Sequence, residues 1–188
     1  MSDGVTLTNH LLVAMPTLAD PEFSRSVTLV CEHSLDKGAL GIVINKPISM
    51  TLGEIFDQME ITAVRSHIGE LQVLRGGPVH RDRGFVVHRG GGQWGSSHRV
   101  SDQIQITTSR DVLEAMAQGE GPQDAFIALG YAGWEPGQLE REMRDNAWLT
   151  LPVDEEIVFG TPFEERWHAV WQRLGVDLGR MSHVAGHA

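Results

Sequence analysis

The chain has a single cysteine, Cys31. No disulfide can close within it, which suits a reducing cytosol. Cys31 ends the apolar run Val27–Cys31, so the expected role is a buried small hydrophobe rather than a nucleophile. Long apolar runs are also missing. The opening segment carries Asp3 and no lysine or arginine before Met15, and its run Leu11–Met15 is too short for a signal peptide or a membrane span. The expectation is a cytoplasmic protein with no membrane contact. Positive charge is scarce: 15 Lys and Arg face 25 Asp and Glu, for a net charge of −10. An acidic chain is repelled by phosphate backbones, so direct nucleic-acid binding is disfavoured.

Catalytic signatures are absent as well. The sequence holds no G-x-S-x-G, no Walker loop and no Cys-x-x-Cys, and no spacing defines a Ser/His/Asp set. Gly90-Gly91-Gly92-Gln93-Trp94-Gly95 matches G-x-G-x-x-G in form. A dinucleotide fingerprint must follow a strand and open a helix. Here Ser96–Thr107 reads as loop and strand, so the match is a surface loop. His183 and His187 are four apart, but Gly186 lies between them in what reads as a frayed tail. His80, His88 and His98 lack metal spacing and sit among arginines. No metal and no cofactor are expected.

What the sequence does hold is an ordinary globular composition. Its 188 residues are 41% hydrophobic and 21% charged, which excludes wholesale disorder and suits one domain over residues 1–188. Leu11–Met15 reads as a first strand stopped by Pro16. Val27–Glu32 and Ala39–Asn45 read as a hairpin around Ser34–Gly38, ended by Pro47. Further strand-like runs are Leu71–Leu74, Phe85–His88, Gln103–Thr107, Ala125–Leu129 and Glu156–Phe159. Helices are announced by the capping box Thr51-x-x-Glu54 and by Thr108-x-x-Asp111. Leu139, Met143 and Ala147, four apart, suggest a third. Thr161-Pro162-Phe163-Glu164 predicts an N-cap, a first-turn proline and an acidic third residue. The stripe Phe163, Trp167, Val170, Trp171 and Leu174 then reads as core. Early hairpins and late helices without regular alternation give an α+β fold.

Three features bear on function. From Arg75 to Arg99 stand five arginines (75, 81, 83, 89 and 99) against Asp82 alone. This is either a solvated face or a local anion site. Arg75-Gly76-Gly77-Pro78 with Arg83-Gly84 joins paired glycines, which allow close backbone approach, to bidentate donors for an oxyanion; a tight turn between strands is the plainer account. Gly130–Glu140 carries Trp134 among small residues at a strand-to-helix turn, as a pocket wall or as a lid over the core.

These residues resemble a known family. The matching segments are Leu12-Val13-Ala14-Met15-Pro16, Asp20-Pro21 with Phe23, Glu32-His33, Gly41-Ile42-Val43-Ile44-Asn45-Lys46-Pro47, Gly76-Gly77-Pro78 and Arg83-Gly84-Phe85. They continue with Thr108-Ser109-Arg110-Asp111, Gly130-Tyr131-Ala132-Gly133-Trp134, Gly137-Gln138-Leu139, Asp145-Asn146-Ala147-Trp148-Leu149 and Ala185-Gly186-His187-Ala188. Together they resemble the YqgE/AlgH family of bacterial proteins. The resemblance implies a bent, partly barrel-like, mostly antiparallel sheet flanked by helices, in a cytosolic bacterial protein. It supplies no enzyme activity to carry over. One branch is named for regulation of alginate synthesis and labelled a transcriptional regulator, but no basic recognition helix is visible here.

The expectation is therefore a non-catalytic regulatory or small-ligand-binding protein, with a small anionic ligand or a protein as partner. Its site would gather Glu32, His33, Asn45, Gly76, Gly77, Arg83, Trp134 and Glu135. Arg83 would hold an anionic group, Trp134 would stack, and Asn45 with His33 would hydrogen-bond. The alternative is a small hydrolase or transferase with His33 or Glu135 as general base. A direct DNA-binding regulator comes third.

Overall fold

A computed structural model describes residues 5–64 and 66–181. The strands are β1 (His10–Ala14), β2 (Val27–Ser34), β3 (Gly38–Val43), β4 (Pro47–Thr51), β5 (Gln72–Arg75), β6 (Val79–Arg89), β7 (Ser97–Arg99), β8 (Ile104–Thr107), β9 (Phe126–Trp134) and β10 (Trp148–Pro152). The helices are α1 (Leu52–Gln58), α2 (Ser66–Gly69), α3 (Arg110–Ala117), α4 (Gln138–Arg144), α5 (Arg166–Arg173) and α6 (Leu178–Met181). Eight strands lie in the order β10-β1-β2-β3-β9-β6-β8-β7. They pair antiparallel and curl into a half-barrel. β5 joins β9 in parallel and carries β4 on its other side.

Curling gives the two faces different cores. Residues on the concave face converge on one cluster: Leu11, Val13, Leu29, Ile42, Phe85, Val87, Ile106 and Phe126 meet Trp167, Val170 and Trp171 of α5. The convex face splits. Val73, Val86 and Ile127 pack against α1 and α3, while Leu12, Val30, Ala132 and Trp134 pack against Leu139 of α4. Strand alternation sorts these residues, and two irregularities reset it. In β2 the register to β3 shifts between Val30 and Glu32, so Cys31 is an extra residue. In β9, Gly130 has φ +79°. Ala128 before it faces the concave core, and Ala132 after it faces the convex one.

The capping box forms as expected: the Thr51 N–H donates to Glu54 at 2.7 Å, and the Glu54 N–H returns to the Thr51 hydroxyl. Trp167 and Trp171 are 5% and 1% exposed, so the α5 stripe is core, while Leu174 beyond its end is exposed. Four expectations need correction. Pro47 opens β4 rather than only ending the strand before it. Ser109, not Thr108, is the residue at the head of α3, and its side chain caps no N–H of that helix. Glu156–Gly160 is a π-helical turn rather than a strand, because the adjacent Ile157 and Val158 are both buried. Thr161 does not cap α5; its hydroxyl donates to the Glu156 carbonyl, and a 3-10 turn over Phe163–Glu165 intervenes. His183 and His187 lie outside the described residues, as does the terminal Ala185–Ala188 segment.

Candidate functional site

The eight residues read from the sequence do not form one cleft. Faces decide the matter. Trp134 closes β9 on the convex side, 6% exposed, with its ring 6.2 Å from Phe23 and 6.2 Å from Trp148. Its indole N–H donates to Glu142 at 2.8 Å. Arg83 sits on the concave side with Phe85. The reversal at Gly130 separates them, so Trp134 is a core residue and no stacking wall for an Arg83 ligand.

Four others hold the fold. The His33 Nδ1 accepts the Leu7 N–H at 2.9 Å, so its proton is on Nε2, which meets Glu140 at 2.6 Å. Burial raises the Glu140 carboxyl, yet the His33 hydrogen bond leads the opposing interactions that leave it below its ordinary value. Asn45 clamps a strand end: its Oδ1 accepts the Val27 N–H and its Nδ2 donates to the Arg25 carbonyl, each at 2.8 Å. The paired glycines do allow close approach, but to backbone. A Cβ on Gly76 would stand 2.3 Å from the Gly130 carbonyl oxygen, and one on Gly77, at φ +152°, 2.2 Å from the Tyr131 carbonyl carbon. The two glycine-bearing segments therefore meet each other, leaving no gap for an anion between them. Glu135 is exposed at the turn into α4, where its N–H donates to the Gln138 side chain.

Glu32 and Arg83 do come together. They border a cavity of about 190 Å³ with Cys31, Leu40, Phe85, Ser96, Ser97, His98, Ile106 and Thr108. The bulge at Cys31 brings Glu32 opposite Leu40 on this face. Of the five arginines in the basic stretch, Arg75 and Arg81 share Glu22, Arg89 pairs with Asp124 and Glu155, and Arg99 pairs with Asp102. Arg83 has no carboxylate at ion-pair distance among the described residues. Its guanidinium lies over Phe85, 5.3 Å from the ring centroid, a contact that uses none of its N–H donors.

The opposite wall is anchored from α3. The Asp111 carboxylate accepts the hydroxyl of Ser109 and the N–H groups of Gly95 and Val112. Those bonds, Ser109's first, pull its carboxyl below the ordinary value. Ser109 in turn accepts the Ser96 N–H, and Thr108 donates to the Ser96 hydroxyl at 3.1 Å. His98 donates Nε2–H to the Cys31 carbonyl at 3.2 Å, tying β7 to the bulge of β2. The sequence placed His98 in the basic stretch, but Ser96, Thr108 and Cys31 were not readable as its neighbours, because ladder register is not a local property.

A hydroxyl–imidazole chain lies on the convex face. His88 donates Nδ1–H to the Arg89 carbonyl at 2.7 Å, so Nε2 accepts from Thr107 at 2.8 Å, and Thr107 accepts from Ser97 at 2.7 Å. Burial pushes the imidazole below its ordinary value. Thr107 and His88 are both 0% exposed, so the imidazole is closed to solvent, and the chain reaches the Arg83 cavity through Ser97. No group of three or more metal-ligating side chains occurs among the described residues, and none of their helices is long and apolar enough to cross a membrane.

A second cavity, of about 390 Å³, adjoins the first at Thr108 but opens on the convex face. It is floored by Met50, Ile55, Met59, Leu113, Ile127 and Leu129 and rimmed by Arg81, Asp82 and Arg110.

Comparison with known proteins puts this geometry in company. A family model described as AlgH-like matches residues 11–179. A UPF0301 protein of Thioalkalivibrio sulfidiphilus is 53% identical over 188 residues, all of both chains. One of Nitrosococcus oceani is 50% identical over 180 residues, 96% of each chain. The solution structure of the AlgH protein from Pseudomonas aeruginosa, 44% identical, superposes with a TM-score of 0.80 over 100% of this chain and 99% of that one. A crystal structure from Corynebacterium diphtheriae, 19% identical, shares the fold with a TM-score of 0.71 over 92% of this chain and 90% of that one.

Proposed function

From the premise that the chain belongs to the AlgH-like family, we propose that it is a non-catalytic binding protein of the bacterial cytoplasm, which holds an anionic group in the Arg83 cavity. The observation that carries this reading is the state of Arg83. It is a cation beside a cavity, with every other arginine of its stretch engaged by carboxylates. Such a guanidinium offers bidentate donors to a carboxylate or a phosphate. Ser96 supports it, since its hydroxyl accepts from Thr108 and keeps its own proton for a ligand. Glu32 on the same cavity opposes a second negative charge. The ligand thus carries one anionic group and a hydrogen-bond donor nearby.

The hydrolase or transferase alternative loses its first base. Both ring nitrogens of His33 are occupied, and a general base needs a free lone pair in reach of substrate. Direct action on DNA remains disfavoured by the charge of −10.

The test is a titration of isotope-labelled protein with sodium acetate, glutamate and inorganic phosphate, read by amide shifts. Saturable shifts are expected at Arg83, Ser96, His98 and Thr108, and Arg83→Ala abolishes them. Equal affinity in Arg83→Ala would overturn the assignment.

A further inference from the structure

The two cavities lie on opposite faces of one strand, and that strand has a free edge. β6 runs from Val79 to Arg89, but β8 pairs only with Val86–Arg89. At Thr107 β8 ends and the chain leaves for α3. On its other side β6 pairs Val79 with Tyr131 and Gly84 with Leu129, so residues 80–83 bulge out opposite Gly130 alone. From His80 to Phe85 the strand therefore has no ladder partner on the β8 side. The result is a fork. One prong is β6, and the other is Thr108–Arg110.

Unpaired edges are commonly blunted by charges and bulges, and Arg81–Arg83 supply both. Blunting does not require cavities, however. Here consecutive residues of the edge open onto different ones: Gly84 lines the cavity floored by Met50, Ile55 and Leu113 on the convex face, and Arg83 lines the cavity that also holds Glu32 and Ser96 on the concave face. Thr108 borders both, at the crotch of the fork. An extended segment laid against β6 alternates its side chains between the two faces. Its backbone groups meet the unpaired groups of the edge, and the alternate cavities read its side chains. That is the logic of strand addition.

We propose that the fork between β6 and β8 binds an extended segment of a partner protein in which apolar residues alternate with polar ones, one of them acidic. Its apolar side chains enter the cavity floored by Met50, Ile55, Met59 and Leu113, and its carboxylate reaches Arg83. Charge complementarity selects the acidic residue, since Arg83 is the arginine of its stretch with no carboxylate at ion-pair distance among the described residues. Glu32 across the same cavity limits the segment to one such residue there. This proposal rests on the anion-binding reading of Arg83 and names the source of the anion.

The probe is a capped pentapeptide of valine, threonine, leucine, glutamate and valine, followed by amide shifts of the labelled full chain. Binding should perturb Arg81–Phe85 and Thr108 together with Ile55 and Leu113. Replacing the glutamate by lysine should weaken binding at least tenfold, and so should N-methylation of alternate peptide amides, changes that leave the protein untouched. Arg83→Ala should match the glutamate replacement, and Arg83→Lys should restore part of the affinity. If acetate and phosphate titrate Arg83 while the pentapeptide does not bind, the strand-addition proposal fails and the anion site stands. If neither binds, both fail. A pentapeptide that binds equally well when N-methylated would overturn edge pairing. A chain that sediments as a dimer through this edge, dissociating in Arg83→Ala, would assign the fork to a second copy instead.

Discussion

Glu142 holds two buried indoles with one oxygen. Its Oε2 accepts from Trp134 at 2.8 Å and from Trp148 at 3.0 Å, while Oε1 accepts the Gln138 amide at 3.1 Å. The rings are 6% and 4% exposed, and Phe23 packs edge-on to Trp148 at 5.6 Å. Glu142→Ala leaves both indole N–H groups without an acceptor. An orphaned buried donor costs about 1–3 kcal/mol, so two cost about 2–6 kcal/mol. Glu142 itself is half-buried, and water entering the vacated space recovers part of that. The expected loss is about 2–3 kcal/mol, or about 4–12 °C in Tm for a domain of this size. Glu142→Gln keeps one oxygen for the two indoles but loses the charge and the acceptor of the Gln138 amide, about 1–2 kcal/mol for these more accessible changes. Denaturant melts followed by tryptophan fluorescence measure both, with the slope unchanged if the native state is intact. An alanine variant within about 0.5 kcal/mol of wild type, the usual range for surface substitutions, would refute the reasoning. A glutamine variant as damaged as alanine would do the same.

Burial lowers the His88 pKa in the folded state. The unfolded chain therefore takes up a proton that the folded chain refuses, and stability falls as pH drops below the ordinary imidazole value. The slope for this group reaches at most about 1.4 kcal/mol per pH unit; urea melts between pH 7.5 and 5 should show it in wild type and not in His88→Gln. Gly77→Ala should destabilise by more than about 3 kcal/mol, because a Cβ there has no room against Tyr131; circular dichroism melts check this, and a normal Tm would refute the tight approach of Gly77 to Tyr131. Arg83→Ala should leave stability within about 0.5 kcal/mol of wild type, since Arg83 is exposed and makes no ion pair among the described residues, so any loss of binding in that variant reads the site alone.

Elements with local causes were legible. Thr51 and Glu54 are three apart and cap each other wherever the chain goes afterwards. The spacing of Trp167, Val170 and Trp171 announces a buried face without reference to what covers it. The failures share one origin. Trp134 and Arg83 each looked poised over a cavity, but which side of the sheet a residue faces depends on every irregularity before it. Gly130 reverses that parity between Ala128 and Trp134, and a glycine in a sequence does not reveal its φ. The Cys31 bulge likewise decides that Glu32 faces Arg83, and strand alternation then sends the His33 side chain to Glu140 on the other face. Gly76 and Gly77 do stand at a close approach, to the backbone of Gly130 and Tyr131. Nothing local tells a strand from a ligand as the thing approached.

The same bulge gives the molecule an internal clock. Cys31 is 1% exposed, and burial first, then the neighbouring Glu32 charge, push its thiol far above the ordinary range. In the closed half-barrel it is inert to alkylation, because the thiolate is the reactive form. A reagent therefore captures it only during openings that part β2 from His98. As the single cysteine of the chain, it reports those openings with no label added and no residue changed. Cys31 also borders the Arg83 cavity. Whatever fills that cavity slows the clock, and the rate of thiol capture becomes a measure of occupancy.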